Sequence, residues 1–268
     1  MSRVHDALRR AGLTGTVAAC AAAMPAADYL SPELLQRVQT VPWQLSPDAL
    51  ILDPLQPRDA PIEEFRALRT RLNHMQSRQP IHTLVLTSAS PAEGKSFSAT
   101  NLALAQAQLA GNRTLLCDFD LRRPVLHKLF QMDRSPGLTD YLQGTVELEQ
   151  AMRRIGDTYL YVMPAGEAVS NPLELLNLAE VKQMLDRLPA IFNWIILDSP
   201  PLLFAADGNL LATLCHGAIL VVRIGATTSD SIARAMQSLC ENNVIGVIVN
   251  GARRGELYSK YTYYHSYE

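Results

Sequence analysis

Residues 83–97 read TLVLTSASPAEGKSF, and the fold follows from them. TLVLTS is an almost unbroken apolar run, the composition of a strand buried on both faces. SASPAEGKS then gathers Ser, Pro and Gly into a turn, and from Ser96 onward the pattern is helical. A strand, a Gly-Lys-Ser turn and a helix in that order make a phosphate cradle. Backbone N–H groups curl round the phosphates, and the helix N-terminus faces them. On this reading Ala92, Glu93, Gly94, Lys95, Ser96 and Phe97 contact the nucleotide. Gly94 permits close backbone approach, Lys95 reaches the β- and γ-phosphates, and Ser96 ligates Mg²⁺. Ala89 stands where such loops usually carry their first glycine.

Outward from this stretch, strand and helix signals alternate. Apolar runs predict strands at 83–88, 114–119, 159–163, 194–197, 218–224 and 244–249. Helical patterns fall at 96–110, 172–188, 208–215 and 229–241. Ahead of them, Glu63, Glu64, Arg66, Arg69 and Arg71 alternate with Phe65, Leu68 and Leu72 as an amphipathic helix. The fold class is therefore α/β: a P-loop NTPase with a mostly parallel sheet and helices on both faces.

Two more strands end in acid. LLCDFD ends the second at Asp118 and Asp120, and WIILD ends another at Asp198. In a parallel sheet the ligand sits at the carboxyl ends of the strands, where the Gly-Lys-Ser loop also lies. Three carboxylates meeting there suit Mg²⁺ held largely through waters beside a γ-phosphate. Each aspartate taken singly reads as a helix cap; the three in this order with the loop point to a Mg-ATP site.

The remaining features bound the function. A composition 48% hydrophobic and 19% charged suits one large core, and a formal charge of −2 favours neither nucleic acid nor an anionic surface. Cys20, Cys117, Cys215 and Cys240 form no CxxC pair and read as reduced thiols. No run reaches the roughly 18–20 apolar residues that span a bilayer, so a cytoplasmic protein with no direct membrane span is expected. The Ala-rich run 12–27 behind Arg9 and Arg10 only loosely imitates a secretory signal, and Pro25 interrupts it.

Prolines at 25, 32, 42, 47, 54, 57 and 61 mark residues 1–60 as an arm or linker with short helices near 3–11 and 32–39. Residues 61–250 form the P-loop domain and 251–268 a tail. Tyr258, Tyr261, Tyr263, Tyr264 and Tyr267 crowd the last 11 residues. An even spread would put only about 0.4 tyrosine there. A phenol of pKa near ~10 needs a base to attack phosphorus, and an aspartate beside Mg-ATP supplies one. Clustered acceptors beside an ATP site make a coherent autophosphorylation device; the bland alternative is an aromatic tail docked on the domain or a partner.

These residues resemble the bacterial tyrosine kinases of capsular and exopolysaccharide export systems. SASPAEGKS at 88–96, CDFDLRRPVLHKLF at 117–130 and LDSPP at 197–201 are similar to the family's three Walker-type motifs. GLTDYLQG at 137–144, NPLELL at 171–176 and the tyrosine-rich tail extend the likeness from about residue 53 to the end. The resemblance implies that Lys95 binds phosphate, and that Ser96, Asp120 and Asp198 hold Mg²⁺. It implies that Asp118 is the base or orienter for the incoming tyrosine hydroxyl, and that Asn250 lies near the adenine. Glu63, Arg66 and Arg69 match an E-x-x-R-x-x-R element that joins subunits into a ring. Without the resemblance they read as an exposed helix with ion pairs. The resemblance further implies a homo-oligomer whose tails enter neighbouring sites. As activator it implies the cytoplasmic tail of a membrane polysaccharide co-polymerase, with recruitment of the kinase to the inner face of the plasma membrane.

Two residues depart from the family pattern. Ala92 replaces a glycine, where a methyl crowds the loop or demands an unusual φ, and Phe97 replaces a small polar residue. Two other readings share the fold: a MinD/ParA-like positioning ATPase, and a nucleotide-binding scaffold of the export machinery. Against the first, Ser90 occupies the place of that group's signature lysine.

Overall fold

The computed structural model describes residues 30–46, 62–239 and 244–252. The five tail tyrosines, Cys20, Cys240 and the helix expected near 3–11 lie outside the described residues. In chain order the strands are β1 (Gln39–Val41), β2 (Thr83–Ser88), β3 (Thr114–Asp118), β4 (Arg153–Ile155), β5 (Leu160–Met163), β6 (Trp194–Asp198), β7 (Gly217–Arg223) and β8 (Val244–Asn250). The α-helices are α1 (Ile62–Gln76), α2 (Lys95–Ala107), α3 (Leu126–Leu129), α4 (Leu138–Leu142), α5 (Pro172–Leu176), α6 (Ala179–Arg187), α7 (Asp207–Leu214) and α8 (Ser229–Ser238).

The strands form one sheet in the order β1-β4-β5-β3-β6-β2-β7-β8. From β5 to β8 the pairing is parallel, while β4 runs antiparallel to β5. The central strands are buried along their whole length, as their apolar runs predict. Successive side chains divide between two cores. Leu84, Leu86, Leu116, Trp194 and Ile196 pack toward α1 and α2, and Val85, Leu115, Ile195 and Leu197 pack toward the opposite helices. The expected P-loop α/β fold with helices on both faces is therefore the fold observed.

Three details differ from the sequence expectation. The helix expected over 172–188 is two helices, because Leu178 is extended at φ −70° and ψ 148°. The break lets Leu176 from one helix and Val181, Met184 and Leu185 from the next reach the same core. The helices expected to end at 110 and 241 end at Ala107 and Ser238. Finally, 32–39 is a 3₁₀ turn over Pro32–Gln36 followed by β1, which extends the sheet edge by pairing with β4.

The parallel sheet puts the ends of β2, β3 and β6 side by side. Leu86 is the register partner of Asp198, and Asp198 is the partner of Asp118. Asp118 and Asp198 thus arrive together at the carboxyl ends of the central strands, where Lys95 at the start of α2 also lies.

Candidate active site

Gly94 precedes α2 in the left-handed region, at φ 97°. A Cβ there would collide with the Asn250 side chain, so the chain reverses into the helix only through a residue without one. Ala92 also lies at positive φ, 63°. It has adopted the left-handed conformation rather than crowding the loop, at a cost of about 1 kcal/mol relative to glycine. Phe97 turns its ring onto α1, 6.0 Å from the Phe65 centroid in an edge-to-face contact. That packing ties α1 to the loop and explains a large aromatic where a small polar residue was expected.

Lys95 lies among the acids. Its Nζ donates to Asp120 Oδ2 at 2.8 Å and stands 3.7 Å from Asp198 Oδ1 and 3.3 Å from Ser96 Oγ. Burial alone would pull the Lys95 pKa down. Asp198 and Asp120 outweigh it and hold the ammonium above the ordinary lysine value. Asp120 also accepts from the Arg123 N–H at 3.0 Å, which fixes the turn leaving β3.

Asp118 is sealed from solvent. Its Oδ2 accepts from the N–H groups of Val125 and Leu126, both at 3.0 Å, so one oxygen caps the entry to α3. The other oxygen makes no hydrogen bond. Burial first, and Asp198 second, push the Asp118 carboxyl up to about 8. Asp198 is equally buried, and neither of its oxygens has a hydrogen-bond partner. Its pKa is raised by burial, with Lys95 opposing.

Unpaired buried carboxylate oxygens are expensive unless something meets them. A hard divalent cation with its waters does so, and beside the Ser96 hydroxyl this donor set fits Mg²⁺. Among the described residues no three His, Cys, Asp or Glu side chains are placed to hold a metal by themselves. Mg²⁺ is suited to such a site, since it keeps several waters and draws ligands from phosphate.

A cleft of about 450 Å³ opens above these groups, with Ala92, Lys95, Ser96 and Asp120 on its floor and Arg123 and Phe204 on its walls. Phe204 is 68% exposed at the rim. Asn250, expected near the adenine, donates to the Glu93 carbonyl at 3.0 Å. Glu63 and Arg66 form an exposed ion pair at 2.6 Å, away from the cleft lining, whereas Arg69 reaches back to the Ala105 carbonyl at 2.9 Å.

Three groups at the site went unread in the sequence. Arg122 makes a two-pronged pair with Asp207 at 2.8 and 3.3 Å, joining the β3 turn to the start of α7. Arg223 and Thr227 touch the phosphate loop from the turn after β7. Only contact across more than 80 residues of chain identifies their partners; Arg122 lies within the 117–130 motif, and Arg223 and Thr227 lie in none.

No family model matches the chain. Tyrosine-protein kinase YwqD of Bacillus subtilis is 34% identical over 211 residues, which cover 78% of this chain and 88% of YwqD. Tyrosine-protein kinase CpsD of Streptococcus agalactiae is 34% identical over 191 residues, covering 70% of this chain and 82% of CpsD. The kinase domain of the Escherichia coli tyrosine kinase ETK superposes with a TM-score of 0.69 at 28% identity, covering 84% of this chain and 95% of that domain. The septum site-determining protein MinD of Pyrococcus horikoshii, in complex with Mg-ADP, aligns with a TM-score of 0.54 at 19% identity and shares the fold alone. Among the described residues no helix is long and apolar enough to cross a membrane.

Proposed function

The chain belongs to the bacterial tyrosine-protein kinases and is a nucleotide-binding protein-tyrosine kinase, and from that premise we propose that it phosphorylates its own C-terminal tyrosines with Mg-ATP. The observation that carries the reading is Lys95, held at the mouth of α2 between Asp120 and Asp198.

In this proposal the amides of residues 92–96 and the Lys95 ammonium bind the β- and γ-phosphates. Ser96, Asp120 and Asp198 hold Mg²⁺, and Asn250 steadies the loop nearest the nucleoside. Mg²⁺, when bound, neutralises charge on the phosphate oxygens. Lys95 must leave Asp120 to reach phosphate, and the charge arriving there replaces the one it gives up. Asp118 takes the proton of the incoming tyrosine hydroxyl as the phenolic oxygen bonds to the γ-phosphorus and ADP departs. The Asp118 oxygen that makes no hydrogen bond supports this role, because it is the one able to accept that proton.

The acceptors in this proposal are Tyr258, Tyr261, Tyr263, Tyr264 and Tyr267. They enter the site of a neighbouring subunit in a ring joined through Glu63, Arg66 and Arg69. The family's link to exopolysaccharide polymerisation and export suggests the setting. There the kinase is cytoplasmic, recruited to the membrane's inner face and activated by the cytoplasmic tail of a polysaccharide co-polymerase.

The test is to incubate the purified protein with Mg-ATP, with and without an activator-tail peptide, and map phosphotyrosine by mass spectrometry. Label is expected on the tail and none in Lys95→Met. ADP release with an unlabelled tail under every condition would replace this reading with that of an ATPase.

A further inference from the structure

The phosphate loop is gripped from the turn that follows β7, the strand paired with β2. Thr227 donates its hydroxyl to Glu93 Oε1 at 2.6 Å, and the Thr227 hydroxyl oxygen in turn accepts the Arg223 backbone N–H at 2.8 Å. The other Glu93 oxygen accepts the Ser90 N–H at 2.9 Å. Arg223 Nη1 donates to the Ala92 carbonyl at 3.0 Å. Glu93 is only 3% exposed, and both its oxygens are spoken for, so its carboxylate is a brace rather than a free acid.

These bonds bracket the one loop residue in an unfavourable conformation. Ala92 stands at φ 63°, which glycine accepts freely and alanine resists. A side-chain-bearing residue keeps such a conformation only where its surroundings over-determine it. Here they do: Arg223 fixes the carbonyl of Ala92, while Thr227 fixes the side chain of the next residue.

We propose that Arg223 and Thr227 are positioning residues for nucleotide binding: the turn after β7 clamps the loop into its phosphate-binding shape and thereby offsets the alanine at position 92. The inference rests on the reading that residues 92–96 hold the phosphates. Nucleotide affinity then falls in proportion to the fraction of molecules whose loop is shaped to bind.

The test uses the full-length chain and the fluorescent nucleotide mant-ADP with Mg²⁺. Thr227→Val, which keeps the shape and loses the hydroxyl, is expected to weaken binding about five-fold. Thr227→Ser restores the donor and binds like the wild type. Arg223→Gln, on an exposed side chain, weakens binding about three-fold. In an Ala92→Gly background, Thr227→Val is expected to weaken binding by no more than about two-fold relative to Ala92→Gly itself, because glycine needs no clamp. A residue serving stability alone would shift the melting temperature without that dependence on residue 92. Wild-type affinity in Thr227→Val, or a loss undiminished in the Ala92→Gly background, overturns the clamp. Lys95→Met separates the two levels: its loss of binding upholds the phosphate-loop reading whatever the clamp variants do, and its binding like the wild type sinks both.

Discussion

Asp118 and Asp198 end neighbouring parallel strands as register partners, and both are closed off from solvent. Like charges so placed oppose each other in a poorly solvated setting, and Lys95 is the cation nearest to hand. The repulsion is strongest when nothing is bound, so the fold carries a cost at the place where a cation and phosphates are expected.

That cost has a pH signature. The Asp118 carboxyl is raised from 3.8 to about 8, so between these values the folded state holds a proton that the unfolded chain has released. Stability of the metal-free, nucleotide-free protein therefore falls as pH rises across that interval. Melting temperatures measured in EDTA at pH 5 to 8 are expected to decline, and Asp118→Asn to flatten the decline while abolishing kinase activity. Equal slopes in the two proteins would place the proton elsewhere.

Lys95 offers a second handle. Its side chain is 12% exposed and that of Asp120 only 4%. Lys95→Met leaves buried acid uncompensated and is expected to cost about 3 kcal/mol in urea unfolding. Adding Asp120→Asn should return part of that stability without returning activity. A single variant as stable as the wild type would show that the pair is not coupled in the resting protein.

How much of this was legible depended on burial and range. β2, β3 and β6 are covered on both faces, so each had to be an apolar run, and the acids ending them were visible as strand ends. β1 and β4 are three residues each, and β4 reads Arg-Arg-Ile. Their pairing at the sheet edge, rather than any pattern of their own, makes them strands. The contacts of Arg223 and Thr227 with the loop span 131 and 134 residues, a distance that local pattern does not bridge. Phe97 looked anomalous in its motif because its partner, Phe65, lies on a different helix.

Gly94 is the loop position least able to change. A Cβ at φ 97° is strained in itself and would also strike Asn250, which holds the Glu93 carbonyl. Gly94→Ala should lower stability by about 1–3 kcal/mol and weaken nucleotide binding at least about ten-fold. Isothermal titration with ADP and Mg²⁺ measures the second effect. If the damage comes from the collision rather than from φ alone, Asn250→Ala will recover some affinity in the Gly94→Ala background but none in the wild type.

The residues proposed to join subunits differ in what they do within one chain. Glu63 and Arg66 form an exposed i,i+3 pair, worth about 0.5 kcal/mol or less to the helix. Arg69 instead donates to the Ala105 carbonyl near the end of α2, linking the two helices. Arg66→Ala should therefore leave the melting temperature of the monomer nearly unchanged, while Arg69→Ala costs about 1 kcal/mol. If the three residues build a ring, sedimentation velocity will show every one of Glu63→Ala, Arg66→Ala and Arg69→Ala shifted toward monomer, despite their unequal effects on stability. If only Arg69→Ala changes the assembly, the helix is an intramolecular brace, and the ring contacts lie elsewhere.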